Sequence, residues 1–141
     1  MQPRIAQTDA EIEACYPVMR ELRPHLSSTE EFVARIRLQQ ESGYQLAYLE
    51  EEGRPVCVAG FRITESLAWG RFLYVDDLVT ASLRRSRGYG RILLRWLHEF
   101  AAAQGCQQLH LDSGVQRTVA HRFYKREGME LSCYHFSTIL R

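Results

Sequence analysis

Apolar residues recur at intervals of three and four positions in four parts of the chain, a spacing that predicts helices. The predicted helices begin at Thr8, Ser28, Tyr89 and Thr118. Thr8 and Ser28 are each followed three residues later by a glutamate, as in a capping box, which supports a helix start at both positions. Pro17 has no N–H to donate, so we expect the first helix to kink or to divide into two short helices. The second, third and fourth helices are predicted to end at about Gln40, Gly105 and Gly128.

Runs rich in β-branched and aromatic residues predict strands between and after these helices. The predicted strands are Tyr44–Glu51, Pro55–Thr64, Arg71–Thr80, Cys106–Val115 and Met129–Leu140, the last of which closes the sheet. Glu52 and Gly53 join the first two strands as a hairpin. The strand, helix and strand that follow one another between residues 71 and 115 predict a right-handed crossover between parallel strands. The sequence therefore predicts a single α/β (α+β) domain over residues 1–141, with flanking helices on a mixed, mostly antiparallel sheet. The predicted order is β-α-α-β-β-β-α-β-α-β, in which the first strand precedes the first helix and has no assigned bounds.

The composition agrees with one compact domain, because the 141 residues are 45% hydrophobic and 25% charged. The formal net charge is +1, which argues against nucleic acid or an acidic membrane as a partner. No stretch approaches the roughly 20 apolar residues of a membrane span, and the first residues lack the apolar core of a signal peptide, so we expect a cytoplasmic protein. The four cysteines are scattered without a CxxC pair, so we expect buried thiols and no metal site.

The stretch from Arg84 to Leu97, RRSRGYGRILLRWL, carries the clearest sign of ligand binding. Gly88 and Gly90 allow the backbone to turn tightly and to approach a ligand, because neither has a Cβ atom. They stand where a helix begins, and the first N–H groups of a helix are unpaired and carry the positive end of its dipole. Fixed positive charge is added by the arginines at positions 84, 85, 87 and 91. This combination predicts a site for a phosphate or diphosphate group.

Two common phosphate-binding motifs do not match this stretch. A P-loop has Gly-Lys-Ser/Thr after its glycines, whereas Arg91 and Ile92 follow here. A dinucleotide-binding fold has a third glycine where Leu93 stands. A glycine-rich turn with a solvated basic face stays open as an alternative. A nucleic-acid module that uses the arginines is a further alternative, against which the near-neutral net charge argues.

The segment Arg85–Gly90 resembles the R/Q-x-x-G-x-G/A motif of the Gcn5-related N-acetyltransferase (GNAT) superfamily, in which it holds the diphosphate of acetyl-coenzyme A. The later segment TVAHRFYKREGM is similar to the family's A-x-x-x-Y-x-x-x-G-F/M segment, and the order of elements matches as well. Two departures are Ser82, where the family often has proline, and Arg117, where it often has asparagine. The resemblance implies that acetyl-coenzyme A is bound by a strand end and by the motif, at Leu78, Val79, Thr80, Arg85, Ser86, Arg87, Gly88, Tyr89, Gly90 and Arg91.

The resemblance also implies catalytic positions. Tyr124 matches the family's tyrosine, and its phenol is a candidate for protonating the departing thiolate. Asp76 stands where polyamine-type relatives carry a glutamate that collects the proton of the amine through water. Asp77 is the second candidate for that role, or an anchor for the loop. Because the two aspartates are adjacent in a predicted strand, we expect their side chains on opposite faces of the sheet.

The resulting hypothesis is an enzyme, an acetyl-coenzyme A-dependent N-acetyltransferase that acts by direct attack of an amine. The acceptor is a primary amine of a small molecule, peptide or protein, and the residues do not identify it. The alternative hypothesis is a non-catalytic domain on the same fold that binds acyl-coenzyme A for regulation. Dimers are common among proteins of this fold, so a homodimer is expected by analogy.

Overall fold

A computed structural model describes all 141 residues and contains four helices and a mixed open sheet of five strands. The helices are α1 (Asp9–Leu22), α2 (Thr29–Gln40), α3 (Tyr89–Ala103) and α4 (Thr118–Arg126), and a short 3-10 turn spans Ser82–Arg84. The strands are β1 (Arg4–Ile5), β2 (Tyr44–Glu51), β3 (Arg54–Ser66), β4 (Gly70–Thr80) and β5 (Gln108–Leu111). The residues group into two compact units, Met1–His110 and Leu111–Arg141.

The strands lie side by side in the order in which they occur along the chain. The pairs β1–β2, β2–β3 and β3–β4 are antiparallel, and the crossover through α3 adds β5 next to β4. Glu52 and Gly53 have φ values of 53° and 77°. Positive φ at both central residues is the conformation of the tight turn that hairpins favour. The predicted fold class and the predicted hairpin are therefore confirmed.

The two faces of the sheet carry different helices. Helices α1 and α2 cover one face, where Ile12 and Phe32 pack with Leu46 in a buried cluster. Helix α3 covers the other face, where the ring of Phe61 lies 5.6 Å from that of Phe100 and 6.2 Å from that of Trp96. Each fully buried side chain of this size contributes about 2 kcal/mol through removal of its apolar surface from water. The predicted helix periodicity thus places α1, α2 and α3 against the sheet.

The predicted helix starts at Thr8 and Ser28 are both present. The Thr8 hydroxyl accepts the Glu11 N–H and the Glu11 carboxylate accepts the Thr8 N–H, which makes the full capping box. At α2 the Ser28 hydroxyl accepts the Glu31 N–H at 3.0 Å, but the Glu31 carboxylate accepts the N–H of Ser27 instead. At α2 the serine cap is therefore present, but the reciprocal bond of the capping box is replaced by a bond between Glu31 and the residue before the cap.

Helix α1 runs through Pro17 as one continuous element, so it does not divide into two short helices. The proline removes one backbone hydrogen bond, a net loss of about 1 kcal/mol. The buried residues on both sides of it contribute more than that, because tertiary packing of an apolar face supplies most of the stability of a helix in a protein. These residues are Ile12, Cys15, Tyr16, Val18 and Met19.

The end of the chain differs from the prediction. Residues 129–141 form no strand, so the predicted strand Met129–Leu140 is wrong, and β5 is shorter than the predicted Cys106–Val115. Alternating apolar residues give a segment the character of a strand, but a strand forms only where a neighbouring backbone accepts its hydrogen bonds. Periodicity along one segment does not reveal whether that neighbour exists.

The expectation of buried thiols holds for two of the four cysteines. Cys15 and Cys57 are buried, and burial raises the pKa of the first to about 12 and of the second to about 11. Cys106 is half-buried, and Cys133 is exposed, so the expectation is wrong for Cys133. None of the four helices combines the length and the apolar character that crossing a bilayer requires.

Candidate functional site

The loop between β4 and α3 has a backbone shape that depends on glycine. Gly88 is the N-cap of α3, with φ 82° and ψ 7° in the left-handed region. A Cβ atom built at Gly88 would meet no atom within 4 Å, so the glycine is needed for its conformation and leaves open space beside it. Ser86 also has a positive φ, 66°, which is uncommon for a residue with a side chain. Two left-handed residues within three positions curl the loop tightly.

The start of α3 presents backbone donors. The first intrahelical bond runs from the Ile92 N–H to the Gly88 carbonyl at 3.1 Å, so the N–H groups before Ile92 have no acceptor within the helix. No side chain caps this terminus, and its first turn carries no acidic residue. The terminus of a 15-residue helix also carries the positive end of the helix dipole. These groups suit an anion that accepts several hydrogen bonds at once.

The arginines of the loop are not equivalent. Arg84 is half-buried and its Nε donates to the Glu51 carboxylate at 2.8 Å. Arg85 is exposed and reaches back, with its Nε 3.4 Å from the Thr80 carbonyl oxygen. Arg87 and Arg91 are exposed as well. The predicted motif residues are therefore brought together at one helix terminus, with the side chains of 85, 87 and 91 at the surface.

The end of β4 offers alternate backbone groups to its two sides. The Ala81 N–H donates to the Val56 carbonyl on β3 at 2.8 Å. Because residues of an antiparallel strand face the partner alternately, the N–H of Val79 points towards β3 as well, and those of Leu78 and Thr80 point away from it. On that outer side β5 starts beside Arg71, whose carbonyl accepts the Gln107 N–H at 2.7 Å, and it has only four residues. The last residues of β4 thus extend past β5, and the backbone N–H groups of Leu78 and Thr80 point away from β3 on that side.

Asp76 lies at a β-bulge. The register of β3 with β4 shifts there, so that Gly60 pairs with Asp77, Phe61 pairs with Val75, and Asp76 has no partner. A bulge interrupts the alternation of side chains. Tyr44 and Arg62 are partners across β2 and β3 and share one face of the sheet.

The two carboxylates meet on the face that α1 and α2 cover. Asp76 accepts two hydrogen bonds from the Arg62 guanidinium, at 3.1 and 2.9 Å. Asp77 accepts from Arg23 Nε and from the Tyr44 hydroxyl, each at 2.8 Å. The expectation that they point to opposite faces is therefore wrong, because the extra residue of the bulge turns both to one side. We call these five residues the carboxylate cluster.

Gly60 makes room for the carboxylate cluster. A Cβ atom at this position would lie 1.6 Å from the Tyr44 hydroxyl oxygen and 2.7 Å from Asp77 Oδ2. The Tyr44 phenol therefore crosses β3 above Gly60 to reach β4. Burial, and next the Asp77 carboxylate, raise the pKa of Tyr44 well above its usual value, so the phenol is a neutral donor. Tyr44, Arg23 and Arg62 are not among the predicted site residues, although a glycine in the middle of an apolar strand signals such a close approach.

Tyr124 belongs to α4 in the unit Leu111–Arg141. Burial raises the pKa of its phenol, an effect that Arg117 partly opposes. The phenol is therefore protonated at neutral pH and able to donate. In the same unit, His121 Nε2 lies 2.8 Å from the Gly114 carbonyl oxygen, which holds the start of α4 to the preceding loop.

The sequence of the chain matches those of known proteins, which identifies its family. The model of the acetyltransferase (GNAT) family matches residues 7–129, a range that includes residues of both compact units. The chain belongs to the GNAT acetyltransferase family. It is 38% identical over 125 residues to YhdJ of Bacillus subtilis strain 168, an uncharacterized N-acetyltransferase, and the match covers 86% of each chain.

Solved structures agree with this fold. A crystal structure of an acetyltransferase from Trypanosoma brucei superimposes with a TM-score of 0.83 at 19% identity, covering 99% of each chain. AAC(6')-Iy in complex with the bisubstrate analogue CoA-S-monomethyl-acetylneamine gives a TM-score of 0.80 at 14% identity, covering 100% of this chain and 99% of that one. Members of the GNAT family are acetyl-coenzyme A-dependent acetyltransferases, so the prediction of an enzyme is confirmed.

The loop of this GNAT acetyltransferase fits the diphosphate of acetyl-coenzyme A. The open space beside Gly88, the amides at the start of α3 that have no acceptor within the helix, and the exposed guanidinium groups are complementary to a flexible dianion. The outward backbone groups of Leu78 and Thr80 suit the amide-bearing pantetheine arm, whereas Val79 uses its own groups towards β3. The individual roles of these residues, and of Tyr124 and Asp76, stay predictions.

Proposed function

We propose that this GNAT acetyltransferase transfers the acetyl group of acetyl-coenzyme A to a primary amine by direct attack of the amine nitrogen. The observation that carries the proposal is the start of α3, where a left-handed glycine N-cap leaves a helix terminus without a side-chain cap. A diphosphate is the group that uses both the amides and the arginines of this loop. The amine acceptor is a small molecule, a peptide or a protein.

The thioester supplies an activated acetyl group. The protein positions the reacting groups and transfers the protons of the amine and of the departing sulfur. The acceptor nitrogen forms a bond to the carbonyl carbon, the carbon–sulfur bond breaks, and the sulfur leaves with the electron pair. The outward N–H of Leu78 is the candidate donor to the carbonyl oxygen, in the manner of an oxyanion-hole donor. Tyr124 donates its phenolic proton to the departing sulfur, and burial keeps that proton in place beforehand.

The amine must lose a proton before it attacks. An alkylamine with a pKa of about 10.4 is neutral in only roughly one molecule in two thousand at pH 7. Between the two aspartates, Asp76 is the better candidate for collecting this proton, because its side chain is 25% exposed and that of Asp77 is 14% exposed. Water next to Asp76 relays the proton. Asp77 binds Arg23 and Tyr44, and it holds the end of α1 to the sheet.

The experiment is a thiol-release assay with acetyl-coenzyme A and a panel of amines. The panel contains diamines, amino sugars, aminoalkyl acids and peptide amines. The proposal expects amine-dependent release of coenzyme A with at least one class, and an acetylated product of the matching mass. If coenzyme A binds but no amine of any class stimulates release, the non-catalytic alternative is the better account.

Tyr124→Phe tests the proposed acid within the same assay. Removal of the phenolic proton is expected to lower kcat about a hundredfold and to leave the KM for acetyl-coenzyme A nearly unchanged. Tyr134→Phe is the matched control, because Tyr134 lies in the same unit with its side chain exposed. An equal, small effect of both substitutions would remove Tyr124 from the mechanism.

A further inference from the structure

We infer that Glu51, a residue outside the predicted motif, is a positioning residue that holds the loop between β4 and α3 in its anion-binding shape. The inference deepens the proposed function and rests on it. Glu51 is the last residue of β2, directly before the hairpin turn. It lies 33 positions from Arg84 and 38 from Tyr89 along the chain.

The two carboxylate oxygens of Glu51 bind the two ends of the loop. Oε1 accepts from Arg84 Nε at 2.8 Å, and Oε2 accepts from the Tyr89 hydroxyl. Arg84 ends the 3-10 turn that follows β4, and Tyr89 is the first residue of α3. One rigid strand end therefore fixes both the entry to the loop and its exit into the helix. Hydrogen bonds to a charged partner are stronger than neutral ones, which suits this role.

The residues between these two anchors need such a restraint. Ser86 and Gly88 both have left-handed backbones, at φ 66° and 82°. A residue with a side chain in that region costs about 1 to 2 kcal/mol and persists only when its surroundings fix it. Hydrogen bonding to Glu51 raises the pKa of Tyr89, an effect that the Arg87 guanidinium, in the middle of the loop, partly opposes. Releasing Glu51 would let the loop relax and would disperse the donors.

The contacts of Glu51 perturb its acidity in the expected direction. Hydrogen bonding from Tyr89 is the largest cause that lowers the pKa of Glu51; burial partly opposes it, and the Arg84 guanidinium lowers the pKa further. The carboxylate is therefore ionised near neutral pH, when its two partners hold it most strongly.

The sign of a binding change separates positioning from plain electrostatics. A negative charge beside an anion site repels the anion, so removing it would increase affinity if charge alone mattered. The pairing of Glu51 with Arg84 offsets that repulsion and fixes the loop instead. Positioning therefore predicts that neutralising Glu51 weakens the binding of coenzyme A, although the site becomes more positive.

The test is calorimetric titration of coenzyme A into the wild type, Glu51→Gln and Glu51→Ala. Glu51→Ala is expected to raise the Kd about tenfold, the equivalent of one lost charge-assisted hydrogen bond, and Glu51→Gln somewhat less, because its amide oxygen still accepts one bond. Glu50→Gln is the matched control. Glu50 is the neighbouring residue on the same strand, it pairs with Arg4 at 2.6 Å, and its substitution changes the net charge equally.

Transfer kinetics with two donors completes the test. The KM for acetyl-coenzyme A should rise with the Kd while kcat stays within about twofold. The rate with acetyl-S-pantetheine, which lacks the diphosphate, should be the same in the wild type and in both Glu51 variants. A general loss of folding would instead lower both rates together, and that result would overturn the inference.

Two further outcomes separate the inference from the proposed function. An unchanged or tighter Kd in both Glu51 variants would overturn the positioning role and leave the proposed function intact. Absence of coenzyme A binding by the wild type would overturn the proposed function itself, and the inference with it. Should Glu51→Ala fail to fold, Glu51→Gln decides the result alone, because it preserves the size of the side chain.

Discussion

The loop before α3 and the two aspartates of the carboxylate cluster lie a few residues apart in the chain, but their polar groups are satisfied in different ways. In the loop, the amides at the start of α3 have no intrahelical acceptor and several guanidinium groups are exposed. In the cluster, each carboxylate already binds a guanidinium group, and Asp77 binds a phenol as well. The donors of the loop therefore suit an added anion, whereas the carboxylates of the cluster already have partners within the protein.

Charged residues near a candidate site can therefore have a structural role, a catalytic role or both. Two adjacent acids in an apolar strand indicate catalysis from the sequence, yet both have structural partners. Asp77 binds Arg23 at the end of α1. Asp76 binds Arg62, whose guanidinium also donates to Gln39 of α2. A buried charge costs little only when it is paired, so pairing comes first. The side chain of Asp76 is the more accessible to water, at 25% exposed against 14% for Asp77.

Gly60→Ala, directly beside the carboxylate cluster, should lower the stability of the protein the most. Its Cβ would lie 1.6 Å from the Tyr44 hydroxyl oxygen, so the buried phenol must move and its bond to Asp77 must break. We expect the free energy of unfolding to fall by about 3 kcal/mol, measured by urea denaturation. Gly88→Ala, which meets open space, should lose only about 1 kcal/mol through its left-handed backbone. Equal losses would show that the cluster is not tightly packed.

Gly88→Glu should abolish the function of the loop and leave the cluster intact. A carboxylate at the start of α3 repels the diphosphate, so we expect the Kd for coenzyme A to rise about a hundredfold in calorimetry. Gly105→Glu is the control at the other end of α3. Gly105 has a φ of 80° and open space around it, so its substitution carries the same backbone strain. Similar affinities of the two variants would contradict an anion site at the start of α3.

Changing each aspartate to asparagine should have different effects, on stability for Asp77 and on the rate of transfer for Asp76. Asp77→Asn is expected to lower the free energy of unfolding by about 1.5 kcal/mol, because its half-exposed partner Arg23 loses its counter-charge. Asp76→Asn is expected to lower kcat about tenfold at neutral pH. If Asp76 collects the proton of the amine, the lost rate returns as the pH rises and the acceptor loses its proton unaided. A loss of rate in Asp76→Asn that does not change with pH would assign it a structural role instead.

The contribution of Glu51 to stability should be the smallest of these effects, and it should depend on pH. The pKa of Glu51 in the folded protein is lowered from 4.5, so its contribution to stability is present above that value and is lost as the pH falls through the lowered pKa. The difference in unfolding free energy between the wild type and Glu51→Gln should therefore be constant at neutral pH and shrink in acid. Tyr89→Phe removes the largest cause of the shift, so in that background the same difference should be smaller throughout. A difference that grows in acid would contradict the assignment.

Several features of the site could be derived from the sequence because their causes are local. The start of α3 follows from Gly88 and the apolar spacing after it, and the hairpin follows from Glu52 and Gly53. Capping at Thr8 is equally local, since its partners lie within three residues. The bulge at Asp76 is different, because it arises from the register of β4 against β3.

The fold class, the position of the glycine-rich loop before α3 and the resemblance to the family follow from the residues alone, since each depends on residues close together in the chain. Packing in three dimensions brings Asp76 and Asp77 to one face, takes Tyr44 above Gly60 and joins Glu51 to both ends of the loop. It also decided that residues 129–141 form no strand. Each of these depends on which distant backbone or side chain supplies the other half of a hydrogen bond, and no local pattern contains that information.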